Sequence, residues 1–108
     1  MKFLHCADLH LGGAGGQERM RAFLRMLAFA KREGVGVLLV AGDLFDAPRV
    51  DERTRRTVME AFAGNPSLCV MIAPGNHDPL VAGGNYDGAM PANVYAFGGE
   101  WSCAEIPA

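Results

Sequence analysis

Acidic, amide and imidazole side chains follow three apolar segments of this sequence in short motifs. The motifs are Asp8-Leu9-His10, Gly42-Asp43-Leu44-Phe45-Asp46 and Gly75-Asn76-His77-Asp78. Carboxylates and imidazoles suit Mn²⁺, Fe or Zn²⁺, whereas a thiolate site would use cysteine. Two such ions about 3.5 to 4 Å apart polarise a phosphoryl oxygen and generate a hydroxide nucleophile at neutral pH. The motifs therefore indicate two-metal phosphoester chemistry.

Four of these side chains are the candidate metal ligands. Asp43 is the candidate bridge between two ions, because it directly follows an apolar segment and its neighbour Gly42 lets the backbone turn sharply towards the metals. Asp8 and His10 would then hold one ion. Asn76 would hold the other ion through its neutral amide oxygen.

His77 and Asp78 are the candidate catalytic residues. His77 lies beside Asn76 and can face the substrate, where it could donate a proton to the leaving oxygen or stabilise developing charge. Asp78 could accept a hydrogen bond from His77 and fix its tautomer, and Asp46 could orient a metal ligand without binding metal itself. Each motif alone is weak, because an aspartate after a strand is commonly a helix cap or a turn former. Their order at three successive strand ends favours metal.

The apolar pattern predicts the elements that position these motifs. Strands are expected over residues 2–6, 35–41, 67–73 and 94–97, and helices over residues 17–33 and 50–63. The first strand is expected to be buried, with His5 as a packed core imidazole and not a ligand. The first helix is expected to bury one face, which is formed by Met20, Phe23, Leu24, Leu27 and Ala30.

The β-α-β-α-β order predicts an α/β fold with a mainly parallel sheet. Strands separated by helices of this length are normally parallel and joined by right-handed crossovers. Their carboxyl ends then lie on one edge of the sheet, which is where open α/β sheets bind ligands. Because each of the three motifs follows such an end, we expect them to converge on one site.

Composition limits the class of protein. The 108 residues suit one small domain with a modest core, and the apolar half of the sequence argues against disorder. Apolar runs fall short of the roughly 20 residues of a membrane helix, and the N-terminus lacks a signal-peptide pattern, so we expect a cytoplasmic protein.

Three widely spaced cysteines favour free thiols. The net charge of −2 implies that a nucleic-acid partner would be met by local features such as metal ions.

The residue sequences of the motifs are more specific than the chemistry of their side chains. They read F-L-H-C-A-D-L-H-L-G from Phe3, A-G-D-L-F-D from Ala41 and G-N-H-D-P-L from Gly75, and P-A-N-V-Y-A-F follows from Pro91. This ordered set resembles the calcineurin-like metallophosphoesterases. It is similar in particular to the SbcD-type DNA repair exonucleases, the bacterial relatives of the Mre nuclease subunit of double-strand-break repair. The similarity extends from Lys2 to about Phe97.

The resemblance implies a domain and a ligand set. Residues 1–108 would be the N-terminal part of one nuclease domain, and thus the N-terminal half of a four-layer αββα fold. Asp8, His10 and Asp43 would bind the first metal, Asp43 and Asn76 the second, and His77 would assist the leaving group. The family pattern continues to an isolated histidine and a G-H-x-H motif, which this sequence does not contain. Four ligands leave each ion short of the near-octahedral shell of Mn²⁺, so we expect these residues alone to be inactive.

The resemblance also implies a substrate and partners. Members of this family usually bind two Mn²⁺ ions and cleave phosphodiesters. SbcD-type members resect DNA ends together with a coiled-coil ATPase of the SbcC type, usually as dimers. The resemblance therefore implies a metal-dependent DNA exonuclease that acts on DNA with such a partner, with a homodimer as a further possibility.

Two other functions stay open. One is a metallophosphoesterase acting on proteins or small phosphates; it is disfavoured because Ala47-Pro48 follows Asp46, where protein serine/threonine phosphatases usually have Arg-Gly. The other is a non-catalytic module that serves assembly or binds metal weakly. Met26 and Phe29 lie off the main apolar stripe of the first helix, and they could form part of a dimer face or pack against a further sheet.

Overall fold

Four parallel strands form one sheet whose spatial order, β1-β2-β3-β4, follows the sequence. The structure is a computed structural model that describes residues 1–106. Its elements are β1 (Lys2–Cys6), α1 (Gly16–Arg32), β2 (Val35–Ala41), α2 (Glu52–Ala63), β3 (Cys69–Ala73) and β4 (Val94–Ala96). The predicted α/β class, the element order and the parallel sheet are confirmed.

The two helices pack against one face of the sheet. Right-handed crossovers that both step in the same direction place their helices on the same side. Phe23 of α1 and Phe62 of α2 meet edge to face, with ring centroids 5.4 Å apart. Leu38 and Val70 from the neighbouring central strands belong to the same buried cluster. This single helix-covered face is the hydrophobic core beneath the motif-bearing loops.

Neither described helix covers the opposite face of the sheet. Successive side chains of a strand point to opposite faces, and the paired residues His5, Leu39, Met71 and Tyr95 form one row of the uncovered side. Phe3, in the same strand as His5, has a relative exposure of 61%. The predicted burial of β1 and of the His5 imidazole is therefore wrong, because β1 is an edge strand that the helices cover on one face only.

The predicted buried face of α1 is confirmed for Phe23, Leu27 and Ala30. Leu24 is instead 40% exposed, since the covered stripe is narrower than the sequence pattern implies. Outside the stripe, Met26 is partly buried against the core and Phe29 is exposed. Whether these two residues belong to a dimer face stays a prediction.

Side chains define both ends of α2. At its start the Asp51 carboxylate accepts a hydrogen bond from the Thr54 backbone N–H at 3.0 Å, so the helix begins two residues later than predicted. After its end, Asn93 Nδ2 donates to the carbonyls of Phe62, Asn65 and Leu68. These contacts join the carboxyl end of α2 to the residue preceding β4.

Two further expectations concern thiols and membranes. Within the described part of the chain, Cys6, Cys69 and Cys103 are all free. Burial raises the pKa of the half-buried Cys6 thiol, which favours its neutral form. Neither described helix has the length and apolarity needed to cross a bilayer.

Candidate metal centre

The loops that follow β1, β2 and β3 meet at the carboxyl edge of the sheet, as predicted. Backbone pairing continues past the strand ends: the N–H groups of Asp8 and His10 donate to the carbonyls of Gly42 and Asp43, each at 3.0 Å. The Gly42 N–H donates in turn to the Ala73 carbonyl at 2.8 Å. The loops are therefore held in register by the sheet itself.

Three predicted site residues form a compact cluster at this edge. Ligand atoms of His10, Asp43 and His77 all lie within 4.8 Å of one another. The two imidazole rings meet edge to face, with centroids 4.9 Å apart. One carboxylate and two imidazoles suit a divalent first-row transition metal, so the donor set fits the metal that the motifs predict. Asp8 and Asn76 lie in the same loops, and both are exposed.

Asp43 and His77 are joined by two hydrogen bonds. The His77 backbone N–H donates to Asp43 Oδ1 at 2.9 Å, and His77 Nδ1 lies 2.9 Å from Asp43 Oδ2. The backbone bond and then the imidazole lower the pKa of Asp43. The same carboxylate raises the pKa of His77 by hydrogen bonding and by charge. Since the Asp43 oxygens are also candidate ligand atoms, a cation would compete with His77 for them.

The backbone is strained at three of the predicted ligands. Among the described residues, the non-glycine positions with positive φ are Asp8 (57°), His10 (51°) and Asp43 (52°). Each left-handed L-residue costs roughly 1 to 2 kcal/mol, and such strain concentrates at functional sites. Packing is also close here, because a Cβ on Gly75 would lie 2.6 Å from the Asp43 backbone nitrogen. A glycine at position 75 therefore lets two of the loops touch.

His10 is oriented by a residue of the second motif. Its Nδ1 lies 3.0 Å from Asp46 Oδ1, and the Asp46 backbone N–H donates to the Leu11 carbonyl at 2.9 Å. An imidazole that bonds a carboxylate through one nitrogen presents the other nitrogen to a metal. Asp46 thus occupies a place from which it can set the tautomer of His10.

Asp78 has partners other than the predicted one. In place of an Asp78 contact, His77 Nδ1 bonds Asp43, so the expected partner of His77 is corrected. The Asp78 side chain is fully buried, and its Oδ1 accepts the N–H groups of Asp43 at 3.2 Å and Gly75 at 2.7 Å. Its Oδ2 accepts the Phe45 N–H at 3.0 Å. A buried carboxylate turns towards such donors because they compensate its lost hydration.

Tyr86 completes the surroundings of Asp78, and it was missed by sequence reasoning. Its buried hydroxyl donates to Asp78 Oδ2, and its ring packs against Phe45 with centroids 5.8 Å apart. Burial, followed by the contact with Asp78, raises the pKa of Tyr86 far above its ordinary value, so the phenol stays a donor. The available signal was one aromatic residue in the Gly- and Asn-rich stretch after the third motif.

Comparisons with known proteins point to one family. A family model described as calcineurin-like phosphoesterase matches residues 1–106. The chain is 40% identical to the SbcD subunit of the SbcCD nuclease of Rhodobacter capsulatus in an alignment of 88 residues that covers 73% of this chain. It is 34% identical to DNA double-strand break repair protein Mre11 of Aeropyrum pernix in an alignment of 85 residues that covers 71% of this chain. These matches span 22% and 21% of the two relatives, which is about a fifth of their length.

A solved structure supports the fold. The crystal structure of nuclease MPE of Pseudomonas putida matches with a TM-score of 0.68 and covers 94% of this chain. The match covers 50% of the nuclease chain, at 22% sequence identity. The sheet and its helices are therefore shared with a nuclease, while the site residues rest on this chain's own geometry.

Proposed function

We propose that this chain, which belongs to the calcineurin-like phosphoesterase family, is part of a metal-dependent nuclease that hydrolyses phosphodiester bonds in DNA. The observation that carries the proposal is the cluster of His10, Asp43 and His77 at the carboxyl edge of a parallel sheet. The names of the two relatives, a nuclease subunit and a DNA double-strand break repair protein, support DNA as the substrate.

The proposed ligand set keeps His10 and Asp43 of this cluster and adds Asp8 and Asn76 from the same loops, while His77 is assigned to proton transfer. Asp8, His10 and Asp43 would hold one divalent ion, and Asp43 and Asn76 a second, with Mn²⁺ as the proposed metal. Bound ions of this kind supply Lewis-acid polarisation of a phosphoryl oxygen and activation of a water nucleophile. Two ions need more ligands than these, so we propose that residues beyond these 108 complete the site and that the 108 residues alone are inactive.

His77 is the proposed general acid. Its side chain is 56% exposed, so the imidazole is accessible to a substrate from the solvent. An imidazole in this position could carry a proton and donate it to the leaving oxygen. Asp46 holds His10 in orientation, 3.0 Å away, and takes no direct part.

The proposal includes an assembly. One relative is named as a subunit of the SbcCD nuclease, and this supports a complex with a coiled-coil ATPase of the SbcC type. A homodimer and a cytoplasmic location complete the proposal. Co-purification of the full-length protein with its ATPase candidate tests the partner, and light scattering tests the dimer.

Metal-dependent cleavage of DNA tests the activity. Full-length protein with Mn²⁺ is expected to degrade linear double-stranded DNA, and EDTA is expected to stop it. His77→Ala should lower the rate by about 100-fold or more, the usual effect of removing a general acid. Glu60→Ala, an exposed acidic position on α2, is the control and should keep the full rate. An unchanged rate in His77→Ala or Asn76→Ala would overturn the assignment of roles.

A second assay tests the class of substrate. A phosphodiester reporter such as bis-p-nitrophenyl phosphate is expected to be hydrolysed in preference to the corresponding monoester. Preference for the monoester, together with intact DNA, would instead identify a phosphatase of the same family.

A further inference from the structure

The Asp78 carboxylate connects two of the loops that carry candidate ligands. Its Oδ1 accepts the backbone N–H groups of Asp43, at 3.2 Å, and of Gly75, at 2.7 Å. One oxygen atom therefore spans the loop after β2 and the loop after β3. Gly75 directly precedes the proposed ligand Asn76, so the position of this oxygen affects ligands from both loops.

The second oxygen of the Asp78 carboxylate has two further donors. Asp78 Oδ2 accepts the Phe45 N–H at 3.0 Å and the Tyr86 hydroxyl. Of the four donors to this carboxylate, the hydroxyl is the one supplied by a side chain. It is thus the donor that substitution can remove without altering the backbone of either loop.

The position of Tyr86 is itself fixed by Asn85. The Asn85 side chain is buried; its Oδ1 accepts the Val50 N–H at 2.8 Å and its Nδ2 donates to the Ala47 carbonyl at 2.7 Å. The Asn85 backbone N–H also donates to the Pro48 carbonyl at 3.0 Å. Tyr86 is therefore presented to Asp78 from a loop anchored to the segment that follows the second motif.

We propose that Tyr86 is a positioning residue of the metal centre, acting through Asp78 to hold the backbones of Asp43 and Gly75 in the metal-binding arrangement. This inference rests on the proposed function. Asp43 needs such support, because its φ of 52° is unfavourable for a residue with a side chain. When the hydroxyl is lost, the Asp78 carboxylate can shift, and the strained Asp43 backbone can relax away from its ligating position.

A matched pair of tyrosine variants tests this role in the full-length protein. Tyr86→Phe keeps the ring that packs against Phe45 and removes only the hydroxyl. Tyr95→Phe makes the same chemical change on the face of the sheet that neither described helix covers and is the control. Mn²⁺ binding, followed by the electron paramagnetic resonance signal of free Mn²⁺, should weaken about 10-fold in Tyr86→Phe, the low end for outer-sphere partners. Tyr95→Phe should bind Mn²⁺ like wild type.

Activity distinguishes positioning from a purely structural role. In Tyr86→Phe, the Mn²⁺ concentration for half-maximal DNA cleavage should rise by the same factor as the Kd. The KM for DNA at saturating Mn²⁺ should stay unchanged. A lower thermal midpoint with unchanged Mn²⁺ affinity would overturn the inference and leave the hydroxyl as a structural contact.

A double substitution tests the path through Asp78. Because Tyr86 acts through that carboxylate, Tyr86→Phe should weaken Mn²⁺ binding little further in an Asp78→Asn background. If Tyr86→Phe still weakened Mn²⁺ binding by about 10-fold in the Asp78→Asn background, the inference would be overturned. Wild type that binds no Mn²⁺ would overturn the proposed function together with this inference, whereas normal binding by wild type and Tyr86→Phe alike overturns the inference alone.

Discussion

His10 Nδ1 lies 3.0 Å from Asp46 Oδ1, although the two residues are 36 positions apart in the sequence. The contact joins the loop after β1 to the loop after β2. It fixes which imidazole nitrogen carries the hydrogen and which one is available to a metal. If His10 is a metal ligand as proposed, Asp46 can control its affinity for the metal without binding the metal itself.

Replacing Asp46 tests that control. Asp46→Ala is expected to weaken Mn²⁺ binding by about 10- to 100-fold, because His10 loses its orientation. Asp46→Asn keeps an oxygen that accepts from Nδ1–H and should lose less. Calorimetric titration of the full-length protein with Mn²⁺ measures both. Glu60→Ala, an exposed acidic position on α2, is the control, and equal affinities for Asp46→Ala and wild type would contradict the assignment.

The strained backbone at Asp8 predicts a conflict between stability and metal binding. Asp8→Gly removes the side chain from a residue with a φ of 57°. Metal-free protein should gain up to about 1 kcal/mol of unfolding free energy, since relief of left-handed strain exceeds the entropy that glycine adds to the unfolded chain. Mn²⁺ affinity should fall at the same time, because a proposed ligand is lost.

Urea unfolding in EDTA measures the stability change at Asp8. Ala7→Gly is the matched control, as its neighbouring position does not have positive φ and glycine should lower stability there. Equal losses in the two variants would show that the backbone at Asp8 stores no strain.

Gly75 predicts a steric effect at the contact between two loops. A Cβ at this position would lie 2.6 Å from the Asp43 backbone nitrogen and 2.9 Å from Asp43 Cγ. Gly75→Ala should therefore lower the unfolding free energy by about 1 to 3 kcal/mol, as overpacking does, and should weaken Mn²⁺ binding.

Gly16 provides the control for Gly75. It is the first residue of α1, and a Cβ there meets nothing within 4 Å. Gly16→Ala should raise the unfolding free energy by up to about 1 kcal/mol, because alanine favours the helix. Denaturant titration compares the variants, and a Gly75→Ala protein as stable as wild type would contradict the close packing of the loops.

The cap of α2 predicts a pH dependence that is independent of the metal centre. Hydrogen bonds from the Thr54 hydroxyl and then its backbone N–H lower the pKa of Asp51. A lowered folded pKa adds stability above the unfolded value of about 3.9, and this contribution is lost as the pH falls through the folded value. Asp51→Asn keeps the cap without an ionisable group.

The difference in thermal midpoint between wild type and Asp51→Asn isolates this effect. The midpoint of wild type minus that of Asp51→Asn should be larger at pH 6 than at pH 2, with both proteins measured in EDTA. A difference that is the same at both pH values would mean that the Asp51 carboxylate is not held by Thr54.

Local patterns in the sequence predicted most of the fold. Apolar runs that alternate with helical stripes predicted the observed order of strands and helices. They also placed both ends of α1, β2 and β3 within two residues of their observed positions. They did not predict that the described helices leave one face of the sheet uncovered, which is why His5 was wrongly assigned to the core. Burial depends on what covers a strand, and the covering element is distant in sequence.

The candidate site was likewise predicted only in part from the sequence. The order of the motifs at strand ends was enough to expect Asp8, His10, Asp43, Asn76 and His77 at one edge, because parallel strands share that edge. Side-chain pairing was decided by tertiary structure. Asp43, not Asp78, is the partner of His77, and Asp78 turns inward to backbone donors and Tyr86. Residue type and spacing determine which chemistry is available, whereas the direction of each side chain depends on donors that only the folded chain brings within hydrogen-bonding distance.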